Sequence, residues 1–267
     1  MVERIKARLE GTVARITPVR VTSEPRAERG SENPGQAGQP GSLGGLVASR
    51  PKPKVAHVSR SAGRLVLALG ATQSRASTWG RAMAAQSALF HAIADGRHVA
   101  VSLACYNDYG PLKTSTFTTD PRHIERAMRS LRCGDGRQQI GAVLDYALAC
   151  SAAPGGLAAL VLIADCVIQE YDHCDVLIGK GRQLTKAGTQ TFVVHDQTAC
   201  NCWMRFDEIA RGMGALCTRL GAGTPAELND LFGAIGAYAG GGLEAMRTAA
   251  KGDPATGLVR QLERFNR

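Results

Sequence analysis

The stretch Arg64-Leu65-Val66-Leu67-Ala68-Leu69-Gly70-Ala71-Thr72-Gln73-Ser74-Arg75 sets an unbroken apolar run against a short, hydroxyl-bearing loop. A run with neither strict alternation nor helical period suits a strand covered on both faces, as in parallel sheets. Downstream, a helix is expected with Trp79, Met83, Phe90 and Ile93 on one side. A second strand follows at His98–Cys105, then a shorter, more polar one at Leu112–Phe117. The connection between these two is too short for a parallel crossover, so the third strand is expected to be an antiparallel edge.

Asp120-Pro121 opens the next helix, with a capping carboxylate followed by proline at the first helical position. Its inner stripe is Ile124, Met128 and Leu131, and a further helix carries Ile140, Val143, Leu144 and Leu148. Leu157–Ala164 and Thr189–His195 are expected as buried strands, Asn201–Gly212 as a helix and Ala215–Leu220 as a short edge strand. Thr224-Pro225-Ala226-Glu227 is a capping box that starts a helix with Leu228, Leu231, Phe232 and Ile235 inside and a stop at Gly240–Gly242. This order predicts an α/β, Rossmann-like, doubly wound and mostly parallel sheet of about six strands with one antiparallel edge strand.

Composition narrows the function classes. The 267 residues are 44% hydrophobic and 5% aromatic, which allows a sizeable core and argues against a reader that stacks nucleobases on rings. The net charge of +9 is uneven: residues 1–60 hold 11 Lys/Arg against 5 Asp/Glu, so most of the excess lies outside the folded part. The near-neutral remainder does not carry a nucleic-acid footprint. No apolar run is long enough to cross a membrane. Met1–Glu10 is charged throughout and lacks the apolar core of a signal peptide. The eight cysteines are scattered through apolar segments, so a cytoplasmic protein with reduced, packed thiols is expected.

The chain is therefore expected to comprise a disordered basic N-terminal arm and linker (1–61), one α/β domain (62–242) and a loosely packed C-terminal helical tail (243–267). Within the arm, Val2, Ile5, Leu9, Val13 and Ile16 recur at helical spacing among Arg4, Lys6, Arg8 and Arg15. That pattern fits either a basic amphipathic helix, for a partner groove or a membrane surface, or a frayed terminus. Thr22 to about Lys54 is rich in Pro, Gly, Ser, Glu and Arg and reads as linker.

In doubly wound sheets, ligands bind beyond the carboxyl ends of the strands, where the strand order reverses. There Thr72 and Ser74 offer hydroxyls and Asp165 a carboxylate, all hard oxygen donors of the kind Mg²⁺ prefers. The alternative role for Thr72 and Ser74 is to cap the following helix. A thiolate–imidazole pair of Cys166 and His195, beside the ends of neighbouring strands, would instead suit a hydrolase-like enzyme. His173, Cys174, His195, Cys200 and Cys202 lack the regular spacing of a structural zinc site.

Residues 62–242 resemble a von Willebrand factor A (VWA) domain, more closely the bacterial type whose first loop reads Asp-x-Thr-x-Ser-Arg before a helix with an early Trp. Thr72, Ser74, Arg75 and Trp79 carry that pattern here, together with Ala164-Asp165-Cys166 and the late helix Phe232–Gly241. The resemblance implies a protein-binding module rather than an enzyme. It implies a metal-ion-dependent adhesion site in which loop hydroxyls and a later Thr hold Mg²⁺ or Mn²⁺, Asp residues assist, and an acidic side chain of the partner completes the shell. The site is degenerate by the same comparison: Gly70 stands where the family has its first Asp, and Gln138 where it has its later Thr. Thr72, Ser74 and Asp165 remain as metal ligands, and Asp108, Asp135 and Gln138 join them as binding residues. The basic arm offers a separate route, as a tether to nucleic acid or membrane.

Overall fold

The computed structural model describes residues 63–73, 76, 80, 99–106, 111–135, 138–165, 174–196, 203–220 and 225–266. The N-terminal arm and linker, the helix expected around Trp79–Ile93 and the capping residue Thr224 lie outside the described residues. Along the chain the elements are β1 (Gly63–Gly70), β2 (Val99–Tyr106), β3 (Lys113–Thr114), α1 (Pro121–Arg129), α2 (Ile140–Ala152), β4 (Ala159–Ala164), α3 (Cys174–Lys186), β5 (Gln190–Asp196), α4 (Trp203–Met213), β6 (Leu216–Leu220), α5 (Pro225–Ala249) and α6 (Asp253–Phe265).

The strands form one sheet in the order β3-β2-β1-β4-β5-β6. All pairings are parallel except β2 with β3, which is the expected antiparallel edge. That edge is shorter than the pattern Leu112–Phe117 predicts, because Ser115 interrupts the ladder. Its hydroxyl accepts from the Leu103 amide at 2.9 Å, while the Ser102 hydroxyl donates to the Ser115 carbonyl at 2.9 Å. The Ser115 N–H still donates to the Leu103 carbonyl at 2.8 Å, and reciprocal backbone pairing resumes where Val101 and Thr118 exchange both their hydrogen bonds.

Continuous burial along β1 arises because each face of the sheet has its own core. Leu65, Leu67 and Leu69 point to one side and pack with Ile124 and Met128 of α1 and with Phe232 and Ile235 of α5. Val66 and Ala68 point to the other, with Val143 and Leu144 of α2, Leu184 of α3 and Phe206 of α4. The expected helix starts and stops are local in origin. The Asp120 carboxylate accepts from the Arg122 amide at 2.9 Å, and Pro121 takes the first helical position. Along α5 the helical path breaks at Gly242, whose φ of 69° and ψ of −160° suit only a residue without a Cβ.

The segment after Gly242 departs from expectation. Rather than a loosely packed tail, it completes the core: Ala255, Leu258, Val259 and Leu262 recur along one face of α6 and are all buried in the cluster that holds Leu65 and Leu67. The Asp230 carboxylate fixes the approach to α6 by accepting from the backbone amides of Lys251 at 2.9 Å and Gly252 at 2.6 Å. At the outer side of β6, the Gln261 amide makes two bonds to one residue. The Cys217 N–H donates to Gln261 Oε1 at 3.2 Å, and Gln261 Nε2 donates to the Cys217 carbonyl at 3.1 Å.

Candidate functional site at the carboxyl edge of the sheet

β1 lies between β2 and β4, so the strand order reverses where β1 meets β4. The carboxyl ends of these three strands bring Gly70, Tyr106 and Asp165 together. Gly70 is the register partner of Tyr106, and Leu69 that of Ile163, which places Asp165 just beyond the paired part of β4. The loop after Gly70 is held by backbone bonds on both sides. Ala71 N–H donates to the Tyr106 carbonyl at 2.9 Å, Gln73 N–H to the Gly134 carbonyl at 2.8 Å, and Gly134 N–H to the Ala71 carbonyl at 3.0 Å. Thr72 thereby bridges Gly134 and sits buried beside the loop that carries the exposed Asp135.

At the centre of this edge, side chains form a short relay. The Tyr106 hydroxyl donates to Gln138 Oε1 at 2.7 Å, and Gln138 Nε2 donates to Asp165 Oδ1 at 2.7 Å. All three residues are buried, with Asp165 wholly inaccessible at 0% exposure. The relay depends on the glycine. A Cβ on residue 70 would stand 2.8 Å from Tyr106 Cε2 and Oη and 2.9 Å from Cζ, so the phenol ring occupies the space a side chain at 70 would need.

This donor set is a poor match to a hard dication. Mg²⁺ requires several oxygen ligands aimed at one point. The amide oxygen of Gln138, its only ligating atom for such an ion, accepts from Tyr106, and its N–H end faces the carboxylate of Asp165. No group of three or more His, Cys, Asp or Glu residues suited to a metal ion occurs among the described residues. The structure therefore joins Gln138 directly to Asp165 and seats Thr72 next to the Asp135 loop, whereas Ser74 and Asp108 lie outside the described residues. Tyr106 is the residue that sequence reasoning missed. Its role follows from the cross-strand register with Gly70, which no local motif encodes.

His195, expected to pair with Cys166 in the hydrolase reading, is fully buried at the end of β5. Its ring packs on Phe206 at 4.6 Å between centroids, and its Nε2 bonds to the Asp165 backbone oxygen at 3.2 Å. Burial holds its pKa below the ordinary 6.5, against the smaller opposing pull of that carbonyl and of Asp196. The imidazole thus packs within the core and ties β5 to Asp165 at the end of β4. Cys166, His173, Cys200 and Cys202 lie outside the described residues. Of the remaining thiols, Cys105, Cys150 and Cys217 are buried, as expected for small core residues. Burial pushes the Cys217 thiol up to about 12 and raises that of Cys150 as well.

Among the described residues no helix is long and apolar enough to cross a membrane. No protein-family model matches the sequence, and no curated protein aligns with it. Solved structures do match in shape. The vWF domain of the type V pili tip protein Mfa5 from Porphyromonas gingivalis superposes with a TM-score of 0.52 at 9% identity, over 72% of this chain and 98% of that one. The pilus adhesin SpaC from Lactobacillus rhamnosus GG, in its open conformation, matches with a TM-score of 0.52 at 12% identity, over 70% of this chain but 30% of the adhesin. The conserved hypothetical protein BatB from Bacteroides thetaiotaomicron matches with a TM-score of 0.50 at 12% identity, over 76% of this chain and 98% of that one. At these identities the likeness concerns the fold alone: with its strand order and antiparallel edge, the described part of this chain has a von Willebrand factor A-like fold.

Proposed function

We propose that the chain is a non-enzymatic protein-interaction module that binds its partner through the loops at the carboxyl edge of the sheet. The observation that carries this reading is the reversal of strand order between β1 and β4, which gathers the loops bearing Thr72, Asp135 and Asp165 at one edge. Ligand-binding loops of open α/β sheets belong at that point. Support also comes from the structural relatives described as an adhesin and a pilus tip protein, functions that their own descriptions give them. The binding surface is assigned to Ser74, Asp108 and Asp135, with buried Asp165 and Gln138 holding the loops from beneath. The partner is a protein, and a cytoplasmic location accords with Cys105, Cys150 and Cys217 packed in the core as free thiols.

The test is a pull-down with the full chain as bait. Placing a positive charge at the edge (Asp135→Arg, Ser74→Arg) is expected to remove a partner that the wild-type chain captures. Lys186→Glu, at the exposed end of α3 on the opposite edge, should leave that partner bound. An identical partner set for all baits would move the interface elsewhere.

A further inference from the structure

We infer that the side-chain amide of Gln138 occupies the place a cation would take at this edge, so that Tyr106, Gln138 and Asp165 are held by an internal hydrogen-bond relay that requires no divalent metal. This deepens the interaction reading above, yet it can fail separately, because it concerns what holds the loops and not what they bind.

Three observations combine. First, the carboxylate of Asp165 is inaccessible, and a buried carboxylate needs a donor or a positive charge against it. Gln138 Nε2 supplies that donor at 2.7 Å, the length of a strong charge-assisted bond. Second, the amide is held in one orientation from behind, since the Tyr106 hydroxyl donates to its oxygen at 2.7 Å. Reversing the amide would set its oxygen against the carboxylate and lose the bond to Asp165. Third, Tyr106 reaches Gln138 only because residue 70 has no side chain. An aspartate at 70, the additional charge a dication needs, and the phenol ring exclude one another. The glycine, the tyrosine and the glutamine thus act as one unit, which sets a neutral donor against the buried carboxylate of Asp165.

Mn²⁺ is the probe, used on the full chain. Wild-type protein titrated with MnCl₂ by calorimetry is expected to show no saturable binding, and its thermal midpoint should not move at about 1 mM Mn²⁺. Gln138→Glu sets a second carboxylate against Asp165. Its midpoint should fall below that of the wild type and be raised by Mn²⁺, because an ion between the two carboxylates then relieves their repulsion. Tyr106→Phe keeps the packing and removes only the hydroxyl. It should lower the midpoint while remaining indifferent to Mn²⁺, and it serves if Gln138→Glu does not fold. Saturable Mn²⁺ binding by the wild type that is lost in Asp165→Asn overturns the inference. So does a midpoint for Tyr106→Phe equal to that of the wild type. Loss of partner binding with these metal results intact would count only against the interaction reading.

Discussion

Replacing Leu258 by alanine tests whether α6 belongs to the folded domain. Leu258 is 1% exposed, in the cluster that also holds Leu65, Phe232 and Met246. The substitution removes the three carbons beyond Cβ, and at about 0.8 kcal/mol each the lost transfer term is about 2.4 kcal/mol. The cavity left behind adds to this, giving an expected destabilisation of about 3–5 kcal/mol. On a loosely packed tail the same change would cost less than about 0.5 kcal/mol. Urea unfolding followed by circular dichroism separates these cases. With a slope of about 2 kcal/mol per molar, the midpoint should fall by more than about 1 M. The control is Arg260→Ala, an exposed residue of the same helix, whose midpoint should stay near that of the wild type. Equal midpoints for Leu258→Ala and Arg260→Ala would refute the placement of α6 in the core.

Other substitutions probe the same architecture. A Cβ on Gly63 would lie 1.7 Å from the Ala239 carbonyl oxygen, so strand and helix backbone must separate, and Gly63→Ala should destabilise by about 1–3 kcal/mol or more in the same unfolding assay. His195 is held below its ordinary pKa of 6.5 chiefly by burial, so the unfolded chain takes up a proton that the folded chain refuses. Its contribution to stability is therefore complete above pH 6.5 and declines as the pH falls below that value, by at most about 1.4 kcal/mol per pH unit. The urea midpoint of the wild type should then drop more steeply between neutral and mildly acidic pH than that of His195→Gln, and parallel profiles would exclude this residue as the cause. With its thiol raised to about 12, Cys217 should resist iodoacetamide at mildly alkaline pH in the native protein and react once urea is added, as peptide mapping by mass spectrometry would show.

The strands were legible in the sequence because parallel strands buried on both faces leave unbroken apolar runs, as at Leu65–Leu69 and Leu160–Ala164. The antiparallel edge was legible from connection length alone, but its extent was not, since the ladder is interrupted by a serine hydroxyl. The spacing of Ala255, Leu258, Val259 and Leu262 was present in the sequence, yet interspersed charges such as Arg260, Glu263 and Arg264 disguise a core helix as a surface one. At the site, topology pointed to Thr72, Ser74 and Asp165, and the family resemblance to Gln138. The relay itself was hidden because it rests on Gly70 facing Tyr106 across a strand pair, a contact between positions far apart in the chain.

The bond pair between Gln261 and Cys217 has a consequence for how the molecule associates. β6 ends the sheet, and an end strand exposes backbone groups that invite another chain to add on. A side-chain amide has the same donor and acceptor as a peptide group, so Gln261 imitates one link of a seventh strand and saturates the edge at Cys217. At the far end, β3 is only two residues long, too brief a template for a partner strand. The sheet is therefore terminated at both ends, which guards against edge-to-edge aggregation and leaves recognition to side chains and loops.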